Sequence, residues 1–141
     1  MVKLYKMCIE DIPNNLTDDF DDFWNPSMLE SEINNPNSYC FVAKDDEKIV
    51  GFFTLWESVD DIHLTNIVVK KDLRNNGIAT IMLKYAIDFV RKSGKSSLTL
   101  EVNENNIYAK KLYLKSGFKI LGIRKKYYNN TDDAIIMTLE F

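Results

Sequence analysis

Val68-Val69-Lys70-Lys71-Asp72-Leu73-Arg74-Asn75-Asn76-Gly77-Ile78-Ala79-Thr80 is the stretch on which the reading of this chain turns. Two β-branched residues close a strand-like run and a short polar link follows. Gly77 then leads into Ile78, Ile81, Met82, Tyr85, Phe89 and Val90, whose three- and four-residue spacings predict a long amphipathic helix stopped by Gly94. A helix N-terminus offers unpaired N–H groups and partial positive charge. A glycine at its entry lets an anionic phosphate rest against bare amides, and Arg74 adds fixed charge. Taken alone, the six residues from Arg74 to Ala79 suit equally well a glycine that eases helix packing beside a solvated arginine. Neither G-x-x-x-x-G-K-S/T nor G-x-G-x-x-G occurs here, which excludes nucleoside-triphosphate and dinucleotide sites of those kinds.

Outward from this junction the pattern is that of one domain spanning residues 1–141. Before it, Val2 to Met7 alternates as a first strand, and a Pro- and Asn-punctuated region to Asn37 accommodates two short helices, the second opened by Asn25-Pro26-Ser27 and carrying Met28, Leu29 and Ile33. Tyr39 to Ala43, Ile49 to Trp56 and Ile62 to Val69 read as an antiparallel meander, with a polar turn over Lys44 to Lys48. After the long helix, Ser97 to Asn103 alternates as a strand, and Asn105-Asn106 caps a second helix that includes Ala109, Leu112 and Tyr113 and ends at Gly117. Phe118 to Ile123 and Ala134 to Phe141 are two last strands, with a turn over Asn129 to Asp133. The series predicts an α+β domain: a mixed sheet of about seven strands with about four helices.

Composition narrows the classes. With 141 residues, 45% hydrophobic and 28% charged, the chain buries a core without needing disulfides or metal. Its net charge of -3, with lysines and acids interleaved, gives no basic stripe for direct nucleic-acid binding. No signal-like start or membrane-length apolar run appears, so the chain reads as cytoplasmic, off the membrane. Cys8 and Cys40 lack a C-x-x-C partner or nearby histidines, which predicts free, buried thiols and no metal site, and His63 is expected to be a partly exposed structural residue.

Two side chains stand out chemically. Glu101 is a carboxylate in mid-strand between Leu100 and Val102, and Tyr113 lies twelve residues later on the following helix. Taken one at a time, a rim carboxylate paired with a lysine explains Glu101 equally well, and a core aromatic with a hydrogen-bonded hydroxyl explains Tyr113 better on periodicity alone. Together they fit transfer of an acyl group to an amine. An α-ammonium, with a pKa of about 7.7 to 8.0, loses its proton to a carboxylate before attacking a thioester, and a phenol protonates the departing thiolate.

The pattern R-x-x-G-x-A at Arg74 to Ala79, between strand and long helix, resembles the pyrophosphate-binding signature of the GNAT acetyltransferase superfamily and matches it at every fixed position. More narrowly, L-T-L-E-V-N-E-N-N-I-Y-A-K-K-L-Y-L-K-S-G-F, followed by R-K-K-Y-Y and D-A-I-I-M, is similar to the bacterial ribosomal-protein-alanine N-acetyltransferases, over about Asn66 to Phe141. Phe23-Trp24-Asn25-Pro26-Ser27 loosely resembles that family's Trp-containing helix junction.

The resemblance implies the GNAT fold, acetyl-CoA as co-substrate and direct attack by the acceptor amine in a ternary complex. It implies Glu101 as proton acceptor and Tyr113 as proton donor. Cofactor contacts fall at Asn106, at Arg74, Asn75, Asn76, Gly77, Ile78, Ala79 and Thr80, and at Ile67, Val68 and Val69, where the family's strand carries a bulge whose backbone meets the pantetheine arm and the acetyl carbonyl. The unbroken apolar run there is what a bulge would require. The family's acceptor is a protein N-terminus, that of a small-subunit ribosomal protein. It enters between the segments matching Asp18 to Trp24 and Tyr127 to Asp133, an acidic and aromatic rim suited to a basic peptide. The hairpin from Tyr128 to Asp133 is slightly shorter than the family's, which leaves room for another N-terminus. Rival readings are a small-molecule amine such as a polyamine, amino sugar or amino acid, a non-catalytic acetyl-CoA sensor, and a purely structural domain. The Y-Y and D-A-I-I-M segments argue against the first, a sensor has no need of both Glu101 and Tyr113, and a structural domain leaves the coincidence of motifs unexplained.

Overall fold

The computed structural model describes residues 1–20, 24–128 and 131–141, with side chains throughout except at 126–128. Strands are β1 Val2–Lys6, β2 Ser38–Asp45, β3 Lys48–Glu57, β4 Asp61–Val69, β5 Ser97–Asn103, β6 Lys119–Tyr128 and β7 Asp132–Glu140. Helices are α1 Leu16–Asp19, α2 Pro26–Asn34, α3 Ile78–Lys92 and α4 Ile107–Lys115, with single 3₁₀ turns at Ile9–Asp11 and Lys71–Leu73. The strands form one sheet in the order β1-β2-β3-β4-β5-β7-β6. Every neighbouring pair is antiparallel except β4 and β5, which α3 connects as a parallel crossover. The expected α+β architecture, mixed sheet and helix count all appear.

Each face of the sheet has its own core because the meander strands are apolar on both sides. Phe41, Phe53, Leu55, Ile62 and Leu64 meet Met82, Leu83, Ala86 and Val90 of α3 and Leu98, Leu100 and Val102 of β5 on one face. Cys40, Val42, Phe52 and Val68 meet Leu16, Phe20, Trp24 and Leu29 on the other. Complete burial of a side chain such as Met82 or Leu83 contributes about 1.5–3 kcal/mol, so α3 is held by its apolar stripe. Asn25 caps α2 as expected, its Oδ1 accepting the Met28 N–H at 2.9 Å, with Pro26 in the first turn.

Several expectations shift. The β2–β3 turn is tighter than Lys44 to Lys48: strand pairing reaches Asp45 and Lys48, and Asp46 turns the corner at φ 55°. β6 runs on to Tyr128, five residues past Ile123, because β7 pairs with it from Asp132. The bulge expected at Ile67, Val68 and Val69 is elsewhere. Those residues pair regularly with Phe53, Phe52 and Gly51, while Thr54 opposes Asn66 and Leu55 opposes Leu64, so Thr65 is the inserted residue. The run Ile67-Val68-Val69 is apolar because both faces of β4 are covered there: Val68 belongs to one core, and Ile67 and Val69 pack on the other. Only one thiol is buried. Cys8 is exposed, whereas burial first and the Glu32 charge second push the Cys40 thiol up to about 12.

Gly51 sets how closely β3 approaches β4 and α3. A Cβ at this position would lie 2.7 Å from the Val68 carbonyl oxygen and 2.9 Å from the Met82 methyl. Gly51→Ala is expected to lower stability by about 1–3 kcal/mol, since a backbone oxygen has to yield. A denaturant midpoint unchanged from the parent would overturn this account of the close approach.

Candidate functional site

The site begins where β4 and β5 part. Their parallel pairing runs from Asp61 opposite Ser97 to Leu64 opposite Leu100 and goes no further, although β4 stays paired with β3 as far as Val69. The inserted Thr65 lies at the point of parting. Its Oγ1 is 2.6 Å from Thr54 Oγ1 and donates to the Thr54 carbonyl at 3.1 Å, a clasp on a fully buried partner that holds the bend in β4. Beyond it, the β5-facing edge of Asn66 to Val69 has no strand beside it among the described residues, so its backbone groups border an opening in the sheet.

At the mouth of the opening stands the start of α3. Gly77 precedes Ile78 with φ 82°, Asn75 also has a positive φ of 67°, and no side chain caps the helix. The first ladder bond is from the Ile81 N–H to the Gly77 carbonyl at 3.2 Å, which leaves the amides of Ile78, Ala79 and Thr80 ahead of it without carbonyls within the helix. Such a terminus has the geometry to receive an anion. Arg74 Nη2 donates to the Phe20 carbonyl at 2.8 Å and Nε to the Val69 carbonyl at 3.2 Å, so the guanidinium bridges the end of β4 to the end of α1. Asn76 Nδ2 donates to the Leu73 carbonyl at 3.0 Å and shapes the turn.

Glu101 and Tyr113 belong to opposite faces of the sheet. On β5, Leu98, Leu100 and Val102 point into the core under α3 and α4, so alternation puts Glu101 on the other face. Tyr113 is buried among the residues under α3 and α4, its ring edge-on to Phe118 at 5.7 Å. α4 is held at both ends: Asn106 Oδ1 accepts the Ala109 N–H at 3.1 Å, and past Gly117 the Phe118 N–H returns to the Tyr113 carbonyl at 3.0 Å. Asn106 thus serves as the helix cap.

Two residues at this site were passed over by the sequence reading. Arg124 Nη2 on β6 reaches Glu101 Oε1 at 3.0 Å, across the small Ala134 of the intervening β7. The pair is partly exposed and adds under about 1 kcal/mol to the fold, but it fixes the carboxylate's direction. No local pattern announces a partner two strands away. Asn66 adjoins Thr65 on β4, and its Nδ2 is buried with no hydrogen-bond partner among the described residues. Its signal was a lone amide ahead of the apolar run. His63, on the strand segment before the bulge, packs near Trp56 with ring centroids 5.8 Å apart and lies 3.3 Å from Asp61.

The acceptor segments are described in part. Asp18 is exposed, Asp19 half-buried and Trp24 buried, while Asp21, Asp22 and Phe23 lie outside the described residues. In the hairpin, Asp132 accepts from Asn103 Nδ2 at 3.1 Å and the Asp133 carbonyl accepts the Glu104 N–H at 3.0 Å, tying the turn to β5. Asn129 and Asn130 lie outside the described residues, as do the side chains of Tyr127 and Tyr128. Among the described residues, no helix is long and apolar enough to cross a membrane.

A mixed sheet that opens between its parallel pair, with an uncapped helix beside the free edge, offers an anionic ligand both backbone amides and a strand to pair with. The chain belongs to the acetyltransferase (GNAT) family, whose model matches residues 9–118. It is 31% identical over 136 residues, 93% of this chain and 90% of the relative, to a Bacillus subtilis protein provisionally named a ribosomal protein bS18-alanine N-acetyltransferase. It is 32% identical over 99 residues, 67% of this chain and 68% of the relative, to the ribosomal protein bS18-alanine N-acetyltransferase of Haemophilus ducreyi. The crystal structure of the ribosomal-protein-S18-alanine N-acetyltransferase from Escherichia coli superposes with a TM-score of 0.90 at 28% identity, covering 99% of this chain and 94% of that one.

Gly77→Ala tests the helix entry. A Cβ there meets nothing within 4 Å, so the cost is backbone strain alone, about 1–2 kcal/mol, unless the turn flips to negative φ and rotates its amides. Calorimetric affinity for coenzyme A is expected to fall in this variant. An affinity equal to that of the parent would remove the turn from the binding site.

Proposed function

We propose that this acetyltransferase acts on the N-terminal α-amine of a protein, with alanine of a small-subunit ribosomal protein as the first acceptor to try. The observation that carries the proposal is the free edge of β4 past Leu64, with a carboxylate on one face of the neighbouring strand and a phenol packed against the other. Similarity to the bS18-alanine acetyltransferases supports the acceptor, and the exposed Asp18 supports a basic peptide.

Acetyl-CoA supplies an activated acyl group, and the residues present fit it. The open amides of Ile78, Ala79 and Thr80 receive the pyrophosphate, with Arg74, Asn75, Asn76 and Gly77 shaping the turn. The free edge of Ile67, Val68 and Val69 pairs with the amide-bearing pantetheine arm as a neighbouring strand would, and Asn106 borders it at the start of α4. Glu101 takes the proton from the incoming ammonium, directly or through water. Arg124 holds that carboxylate in place until the ammonium approaches. Tyr113 keeps its hydroxyl proton for the thiolate that leaves, and its burial keeps water away from the exchange.

The first experiment incubates the protein with acetyl-CoA and either basic peptides with free N-terminal alanine or small amines, following thiol release and locating the acetyl group by mass spectrometry. Transfer to the peptide α-amine is expected, and transfer to small amines alone would overturn the acceptor. Glu101→Gln is expected to lose about 10²–10⁴-fold in kcat at pH 7 and to regain part of it above pH 9, where the amine is already neutral. Tyr113→Phe retains the ring packing and is expected to lower kcat at least about 10-fold with coenzyme A affinity unchanged. Full turnover in either variant would remove that residue from the reaction.

A further inference from the structure

We infer that Asn66 reads the carbonyl oxygen of the acceptor's first residue, so that the enzyme recognises an α-amino carbonyl group and not an amine alone; this rests on the reading just given. Asn66 follows the inserted Thr65 and pairs with Thr54, so its side chain shares the face of Val68 and Phe52. By the alternation of β5, that is also the face of Glu101. The two residues therefore flank the opening from its two sides, on one surface, just past the last paired position at Leu64 and Leu100.

The side chain is in an unusual state for a folded protein. Its Nδ2 is buried and donates to nothing among the described residues, although buried donors are nearly always paired and an unpaired one costs stability. The bulge places it there with the clasp between Thr54 and Thr65 complete, so the donor is left over from the strand's own hydrogen bonding. An amide N–H₂ can only donate, and the group it awaits is an oxygen acceptor. In an N-terminal residue the ammonium and the carbonyl group are joined through a single carbon, the α-carbon. Glu101 suits the first and Asn66 the second, two points of contact that a polyamine or a lysine side chain cannot satisfy together. On the proposed reading the backbone edge of β4 past Leu64 is taken by the cofactor, which leaves the Asn66 side chain to the acceptor.

The test compares two basic alanyl peptides that differ only at the first peptide bond, an amide in one and a trans alkene without the carbonyl oxygen in the other. The wild-type enzyme is expected to favour the amide by about 10- to 100-fold in kcat/KM, mainly through KM, because a site built to hydrogen-bond a group discriminates against the analogue lacking it. Asn66→Leu is expected to bring that ratio close to one while coenzyme A affinity and Tm stay equal or rise, since the orphan donor is gone. A wild-type enzyme that acetylates both peptides alike would overturn the inference without any variant and leave the N-terminal acetyltransferase reading intact. So would an Asn66→Leu enzyme that loses kcat equally on both peptides, which would assign the donor to the thioester carbonyl. Absence of transfer to any α-amine would sink both readings at once.

Discussion

The clasp between Thr54 and Thr65 holds the one irregularity from which the rest of the site follows. Without an inserted residue in β4, the parallel ladder that joins Leu64 to Leu100 would continue toward Val69 and Asn103, and the sheet would be closed. The extra residue bends the strand, and the hydroxyl pair on a buried threonine keeps the bend from relaxing into regular pairing. What the proposed site takes from β4 lies beyond that point: a free backbone edge, an amide nitrogen without a partner among the described residues, and a direct run into the turn before α3.

The two cores make the bend tolerable. A sheet parted in the middle loses hydrogen bonds, and here the loss is offset because both faces of β4 stay packed, Val68 against α1 and α2 and Ile67 and Val69 toward α3. α3 is the pivot of this arrangement. Its apolar stripe anchors it under the meander while its N-terminus, uncapped and opened by Gly77, projects to the mouth of the gap. The buried stripe is what allows an exposed, unsatisfied helix end to be held in a fixed place.

Charge is arranged across the sheet as well as along it. Glu101 on β5 is met by Arg124 on β6, with β7 between them, and Arg74 joins the end of β4 to the carbonyl of Phe20 at the edge of the acceptor segment. The turn between β6 and β7 is fastened to β5 through Asn103 and Glu104, which places the second acceptor segment at the end of the strand that carries Glu101.

From the sequence by itself came the elements, their order, and the residues whose chemistry fits acyl transfer. Those properties are local: the helical spacing from Ile78 to Val90, the alternation from Ser97 to Asn103, the glycine before the long helix, and a motif readable within six residues. The bulge was expected in the right strand but two residues late, because an apolar run has the same appearance whether a residue is inserted or both faces are covered. Strand pairing decides that question, and pairing depends on Leu55 and Thr54, which lie ten or more residues away in the chain. The same holds for Arg124 beside Glu101, for the Asn66 amide nitrogen left without a partner among the described residues, and for Glu101 and Tyr113 on opposite faces of the sheet. A hydrogen bond, an ion pair or a missing partner is a relation between distant residues, and only the folded chain determines which of them meet.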